Sequence, residues 1–402
     1  MRSSWAAGLA LTVALLLSAL GVPVTDAPDP DPPAAVLVTA STSSGSNGDT
    51  DDPAGTAADK PAKRRVTVAV SGDVLVHTGV WQSAQRAGAA HGRDEPYFPP
   101  MFASLRPVVS GADLAVCHLE TPLAPPGGPY RNYPLFSAPP QVVDGLVATG
   151  YDACTTASNH AVDMGFDGLA RTVRALGRRG MAHTGTYASR RASQRELLID
   201  VAGVRIGLLS TTYGTNGMPV SEPWSVDLLD VDRTLRRAAQ LRRAGADVVM
   251  VAVHSGYEYV TAPSPEQVQA FDALSASPNV DFVYGHHAHV VQPFARPHGE
   301  WVVYGLGNFV AEQELGRPDT YRGMTAEITF VEGRDGTFRG IRPRFVPTLI
   351  THPSTPWGTT VLDAPRALAN PRTPAWARPL LQEAVREVRA DVIRPGVRMI
   401  AP

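Results

Sequence analysis

Hydrophobic and polar positions follow two rhythms along most of this chain, after an N-terminal stretch that has neither. That stretch opens with an uncharged apolar run, Trp5 to Val24, behind one basic residue, Arg2. A run of this kind reads as a secretory signal over residues 1–22, with small residues at Ala19 and Gly21 for a cleavage site. Its length is also close to the roughly 20 residues that span a bilayer, so an uncleaved signal anchor is the alternative. No cysteine follows the run, which argues against a lipoprotein anchor. Residues 23–63 are dominated by Pro, Asp, Ser, Thr, Ala and Gly without apolar periodicity, and predict a disordered tether.

From Arg65 onward β-branched apolar runs alternate with helical spacing. "VTVAVSGD", "ADLAVCHLE", "YDACTTASNH", "ADVVMVAVHSGYEY", "VDFVYGHHAH" and "WVVYGLGNFV" each read as a strand. "QVVDGLVATG", "FDGLARTVRALGRRG", "DRTLRRAAQLRRAG" and "SPEQVQAFDALSA" read as helices, the last with a Ser-Pro start and the others closed by Gly. Hairpins are expected around Ala202-Gly203 and Asp335-Gly336. The alternation predicts one α/β domain over residues 64–350, with mixed sheets and helices outside. Residues 351–402 read as a Pro-rich C-terminal extension with one helix, near "PLLQEAVREVRADVI".

Composition changes this picture little. The 402 residues are 44% hydrophobic, ample for a large core, and the net charge of -2 gives no reason to expect a nucleic-acid partner. The two cysteines, Cys117 and Cys154, lie in strand-like runs. An exported chain would be free to oxidise them, but two buried small hydrophobes in neighbouring strands is the simpler expectation. Neither lies in a Cys-x-x-Cys, so a thiolate zinc site is not expected.

The polar residues with chemistry are concentrated at the ends of successive predicted strands: Asp73, Glu120, Asn159 with His160, His254, and the group His286, His287 and His289. In open α/β sheets that edge is where ligands bind. One histidine after a strand means little. A series of strand ends that each bring a metal-capable oxygen or nitrogen predicts a shared metal site. The donors exceed a four-coordinate zinc shell, so two divalent transition metals are expected. Mixed oxygen and nitrogen donors without thiolate suit manganese, iron or zinc. A carboxylate bridging two cations about 3.5–4 Å apart would clamp a phosphoryl or acyl centre and lower the pKa of bound water.

The motifs "SGDVLV", "DLAVCHLETP", "ASNHAVDMGFDGL", "VAVHSGYEY", "GHHAHVVQP" and "VYGLGNFV", in that order, make the chain similar to the CapA family of poly-γ-glutamate capsule biosynthesis proteins. That family itself resembles the calcineurin-like metallophosphoesterases. The resemblance runs from about Val66 to Phe345. It implies an α/β/β/α sandwich with the metals at the C-terminal ends of strands. It also implies Asp73 as a terminal ligand, Glu120 as the bridging carboxylate, and Asn159, His254, His287 and His289 as the remaining ligands. His286 would then point elsewhere and fix the loop. His160 would face the scissile group as acid or charge stabiliser. Asp163 would either orient His160 or cap the helix near Phe166. Glu258 and Tyr259 match the family's Gly-x-Glu-Tyr and would support the ligands or contact substrate, with Tyr259 equally placed for the core. Asn308 would line the site or simply occupy a turn.

The chain departs from the family pattern in places. His118 stands where Asn is common, and would enlarge the metal shell or face away. Ser255 replaces a bulky aromatic. His77 lies four residues beyond Asp73, outside the Asp-x-His spacing of phosphoesterases, and reads as a surface histidine rather than an extra ligand.

No Gly-x-Ser-x-Gly elbow and no Walker loop occurs, so an ATP-driven ligase is not expected within this chain. The signal-like run and the tether imply an exported protein, secreted or held at the outer face of the cytoplasmic membrane. By the resemblance, its role would be the making or processing of an anionic extracellular polymer or its precursor. The first expectation is a dinuclear-metal hydrolase cutting a phosphoester or amide bond. The alternative is a non-catalytic component working beside other membrane polymer-synthesis proteins. A periplasmic-type binding protein fits less well, because it needs no such array of carboxylates and imidazoles.

Overall fold

The computed structural model describes residues 36–38 and 63–393. The signal-like segment 1–22, most of 23–63 and the last residues from 394 lie outside the described residues. Within 23–63, Val36–Val38 is an exception to the expected absence of structure. It forms strand β1, which adds in parallel to a later strand at Ile199, a pairing between backbones remote in sequence.

The first half of the domain runs β2 (Arg65–Val74), α1 (Thr78–Ala90), α2 (Pro99–Phe102), α3 (Arg106–Val109), β3 (Leu114–Leu119), α4 (Val142–Thr149), β4 (Ala153–Thr155), α5 (Gly165–Arg178), β5 (Ala182–Thr184) and α6 (Arg190–Ser193). Next come β6 (Leu198–Val201), β7 (Val204–Thr212), α7 (Val231–Arg243), β8 (Val248–His254), α8 (Pro265–Ser275), β9 (Phe282–His286), β10 (Phe294–Ala295) and β11 (Trp301–Val303). The chain then continues through β12 (Asn308–Val310), β13 (Arg322–Glu332), β14 (Phe338–Ile350), β15 (Val361–Asp363), α9 (Ala364–Ala369) and α10 (Arg378–Val392).

Two sheets result. One has the order β1-β6-β7-β8-β9-β11-β10, the other β15-β14-β13-β2-β3-β4-β5 with β12 added beside β2. Alternation along each strand explains their stacking. Val68, Val70 and Val116 of one sheet share a core with Ile206, Leu208 and Met250 of the other. The opposite face of the second sheet, Ala69, Ala115 and Cys117, packs under Phe98, Phe102 and Leu146. On the far side Leu209, Val249 and Val251 pack under Leu241 and Phe271. The architecture is therefore the expected α/β/β/α sandwich.

Local signals match the elements they predict. Ser264 and Gln267 form a capping box at α8. Gly150, at φ 109°, ends α4 where a side chain would be strained. The hairpin β6–β7 turns at Ala202 and Gly203, both with positive φ.

Two expectations need correction. "WVVYGLGNFV" is not one strand: β11 lies in the first sheet and β12 in the second, so the glycine-rich middle carries the chain across. Gly72 permits that crossing, because a Cβ there would lie 2.0 Å from the Gly307 carbonyl oxygen. Residues 351–393 are no appendage either. β15 pairs with β14, and Leu381 and Ala384 of α10 pack on Leu349 and Leu362. Val388 and Val392 reach the central core, so the apolar stripe of this helix closes the sandwich.

Candidate metal centre

The parallel strands β2, β3, β4, β8 and β9 bring their C-terminal ends to one edge of the sandwich. Asp73 is fully buried near the end of β2, in register with His118 of β3 and with Asn308 of β12. One Asp73 carboxylate oxygen meets His286 Nδ1 at 2.6 Å. The other accepts the His287 backbone N–H at 3.1 Å and lies 3.4 Å from His289 Nδ1. His286 therefore braces Asp73 from the end of β9, and the loop beyond it is pinned to β2.

His287 and His289 both adopt left-handed backbone, at φ 86° and 56°. Such residues are strained by about 1–3 kcal/mol each and persist only where surrounding bonds fix them. Here the Asp73 carboxylate holds one peptide, and the Ala288 carbonyl accepts the Tyr259 N–H at 2.8 Å. Asn308 completes the restraint, its Oδ1 lying 3.0 Å from His289 Nδ1 while its Nδ2 donates to the His289 and Thr320 carbonyls. Asn308 is a strand residue supporting a histidine, not a turn residue.

The other strand ends meet the same cluster. His254 closes β8, with Nε2 2.8 Å from Asn159 Oδ1 and Nδ1 3.0 Å from His118 Nε2. His118 does not face away. It is fully buried, stacked 3.9 Å from the His286 ring and braced by Thr155. Glu120 sits just past β3, its backbone carbonyl tied to Ser158, and neither side-chain oxygen has a hydrogen-bond partner. His160 Nδ1 lies 2.8 Å from Asp163, which also accepts the Phe136 N–H. Asp163 is thus the partner of His160, and α5 begins without a side-chain cap. His77, expected at the surface, is buried edge-on against Phe136 at 5.1 Å, with its Nδ1 accepting from the Glu312 N–H.

Donor atoms of three residue sets lie within 4.8 Å of one another: Asp73, His118 and His254; Asp73, Glu120 and His289; and Glu258, His287 and His289. Glu258, exposed on the loop after β8, thereby joins the histidine pair as a candidate ligand. Asp73 and His289 are shared between sets. Buried orphans point the same way, because Glu120 Oε1 and Oε2, His286 Nε2 and His287 Nδ1 have no partner. Leaving such groups unsatisfied costs about 1–3 kcal/mol each, and more for a charge. The donor set, carboxylate and imidazole without thiolate, fits divalent transition metals.

The electrostatics are those of a site waiting for positive charge. Burial pushes Glu120 well above the usual carboxylate range. Burial acts on Asp73 in the same direction, but the hydrogen bonds from His286 and His289 win and hold it well below that range. His118 and His254 are driven down by burial, which keeps them neutral and able to ligate. Burial and the charge of His289 hold His287 down at about 3. His289 alone goes up, to about 9: burial opposes its proton, and the Glu120 and Asp73 carboxylates more than offset that.

Two further residues of the site escaped the sequence reading. Tyr213 and Asn216 lie beyond β7, whose end carries the same positional signal as the others but was read only as half a hairpin. The Tyr213 ring lies 4.7 Å from His287 and its hydroxyl donates to Asn216 Oδ1. The same Asn216 oxygen accepts from Asn159 Nδ2 at 3.3 Å, which orients the Asn159 amide with its oxygen toward His254.

An α/β/β/α sandwich with a carboxylate–imidazole cluster at its strand ends defines a layered α/β protein with a candidate metal centre. More particularly, residues 67–313 match the family described as bacterial capsule synthesis protein PGA_cap, and the chain belongs to that family. A capsule biosynthesis protein CapA from Bacillus anthracis is 26% identical over 270 residues, 63% of this chain and 62% of that one. A probable polyglutamine synthesis accessory protein from Mycobacterium tuberculosis is 28% identical over 230 residues, 53% of this chain and 60% of that one. The matches thus span less than two thirds of either relative. Among solved structures, a 5'-nucleotidase precursor from Thermus thermophilus aligns over 81% of this chain and 59% of its own length. Its TM-score is 0.42, at 16% identity. The calcineurin-like phosphoesterase YfkN from Bacillus subtilis aligns over 81% of this chain and 99% of that one, also at 0.42, with 13% identity. Likeness at that level carries no argument about the site.

Proposed function

We propose that this chain is an exported metal-dependent hydrolase that acts on a phosphoester or amide bond in an extracellular anionic polymer or its precursor. The observation that carries the reading is the buried Glu120 carboxylate, without a hydrogen-bond partner, beside Asp73 and His289. Asp73, Glu120, Asn159, His254, His287 and His289 would hold two divalent metals, with His118 and Glu258 close enough to join. Bound manganese, iron or zinc would supply Lewis-acid polarisation and a lowered pKa for water.

The chain's own residues do the rest. Asp163 engages His160 Nδ1, leaving Nε2 as the nitrogen that gives a proton to the leaving atom or steadies its charge. Phe136, edge-on to His160 at 4.8 Å, limits its rotation. Asn308 and Asn216 fix the faces that His289 and Asn159 present. An oriented imidazole beside the cluster favours hydrolysis over a purely binding role, which needs no proton donor. Export is supported by the signal-like N-terminus and by the disulfide between Cys117 and Cys154, register partners on β3 and β4 that are paired rather than free.

The test is metal content together with turnover. Protein purified without chelator is expected to carry near-stoichiometric transition metal and to cleave either a phosphodiester or a glutamate-polymer amide. His160→Ala would retain the metal and lose most turnover. A metal-free protein, or metal content indifferent to His287→Ala combined with His289→Ala, would overturn the reading.

A further inference from the structure

One charged group beside this cluster has no task in the proposed hydrolysis. Arg317 is exposed, and its guanidinium carbon lies 4.3 Å from the centre of the Tyr259 ring. Its side chain makes no ion pair or hydrogen bond among the described residues, although acidic Glu258 is the neighbour of Tyr259. The Tyr259 ring is in turn 5.9 Å from the His289 ring, so a single aromatic side chain separates this cation from the candidate ligands.

The placement is built rather than incidental. Tyr259 adopts φ 64°, a left-handed conformation that a bulky residue keeps only under restraint. Its N–H is bonded to Ala288, between the two histidines, and its hydroxyl donates to Gln313 Oε1 at 3.3 Å. The segment that carries Arg317 is fastened at both ends. Glu312 is bonded to Gly79 and to His77, and the Tyr321 hydroxyl donates to the Gln313 carbonyl at 2.5 Å. Strain, two backbone anchors and a stacked guanidinium therefore fix one unpaired cation beside the metal-type cluster.

A phosphoryl group undergoing hydrolysis would sit at the metals, not one ring away from them. A fixed guanidinium at that offset suits an anionic group flanking the bond under attack, and its planar fork matches a carboxylate with two parallel hydrogen bonds. We propose that Arg317, seated on Tyr259, clamps a substrate carboxylate adjacent to the bond held at the cluster, and so selects a carboxylate-bearing chain. This rests on the hydrolytic reading of the cluster, and it assigns to Arg317 the choice of substrate rather than the chemistry.

The experiment measures binding to the full chain loaded with manganese. The probes are a γ-linked glutamate trimer, its fully amidated counterpart and inorganic phosphate, with bound metal counted in parallel. The wild type is expected to prefer the trimer to the amide. Arg317→Gln is expected to lose about tenfold to 150-fold in trimer affinity, the range of a charged hydrogen-bonded contact. Phosphate affinity and metal count should stay as they were. Arg317→Lys, which keeps the charge without the fork, should recover only part of the loss. Equal trimer binding by Arg317→Gln and wild type, or no preference of the wild type for the trimer, would overturn the clamp whatever the metal count. A wild type that binds the trimer through Arg317 but holds no metal would leave the clamp standing and remove the hydrolytic reading.

Discussion

Two buried polar clusters in this protein have opposite characters. In the first, Asp227 is almost fully buried and every bond it needs is made. Arg233 donates to one oxygen, and Arg237 and the Tyr187 hydroxyl donate to the other. Burial and the Asp227 charge push the Tyr187 phenol up to about 12, so it stays a donor. In the second, Glu120 is as deeply buried and neither of its oxygens is met, and two of the neighbouring histidines each keep a bare nitrogen. A closed network is a structural lock between α7, the loop before it and the turn after β5. An open one is a receptor, because a chain gains nothing in stability from burying donors that nothing answers. Burial of charge alone does not distinguish structure from function; the unmet bonds do.

Substitutions should separate the two clusters. The largest effect is expected at the lock: Asp227→Ala would strand Arg237 and destabilise the protein by about 3–5 kcal/mol in denaturant titrations. The folded fraction should still bind metal normally. Next comes the receptor's response to its ligand. Manganese at about 100 times its Kd should stabilise the metal-free wild type by about 2.7 kcal/mol, and the variant with both His287→Ala and His289→Ala should show no such gain by calorimetry. A smaller effect of opposite sign to the first is expected from Glu120→Gln. Relieving an unmatched buried carboxylate should make the metal-free protein more stable by about 1–2 kcal/mol while abolishing the manganese response. If Glu120→Gln instead destabilises as Asp227→Ala does, the contrast between the clusters collapses. The smallest effect belongs to Asn216→Ala, which reaches the receptor only indirectly, through Asn159 and through Tyr213 beside His287. Metal affinity should fall about tenfold with unfolding in the absence of metal nearly unchanged.

Much of the receptor was visible in the chain, and none of the lock. Apolar β-branched runs ending near Asp73, Glu120 and His254 identified the strands and the edge where the site forms, because ligands gather at the C-terminal ends of strands in such sheets. The Asn-His and His-x-His pairs stood out as candidate ligands through the resemblance to the CapA family rather than through periodicity. Other residues left no comparable signal. Tyr213 and Asn216 follow a strand that also belongs to a hairpin, and a hairpin pattern does not announce a binding loop. Cys117 and Cys154 gave no spacing cue, since their pairing depends on β3 and β4 aligning in register. The C-terminal segment looked like an extension because Pro-rich stretches separate its short apolar pieces, and only docking on β14 makes them core.

The sequence by itself determined the class of layered fold and the donors at each strand end, because both are written in local periodicity and residue type. The tertiary structure alone decided how those donors divide their work. It turned His286 to brace Asp73 while left-handed backbone at His287 and His289 brought them toward Glu258. It drew His118 and Asn308 into the cluster, and it placed Arg317 over Tyr259. Each of these outcomes depends on contacts between residues far apart in the chain, set by the stacking of two sheets and by strain that only the finished packing can hold.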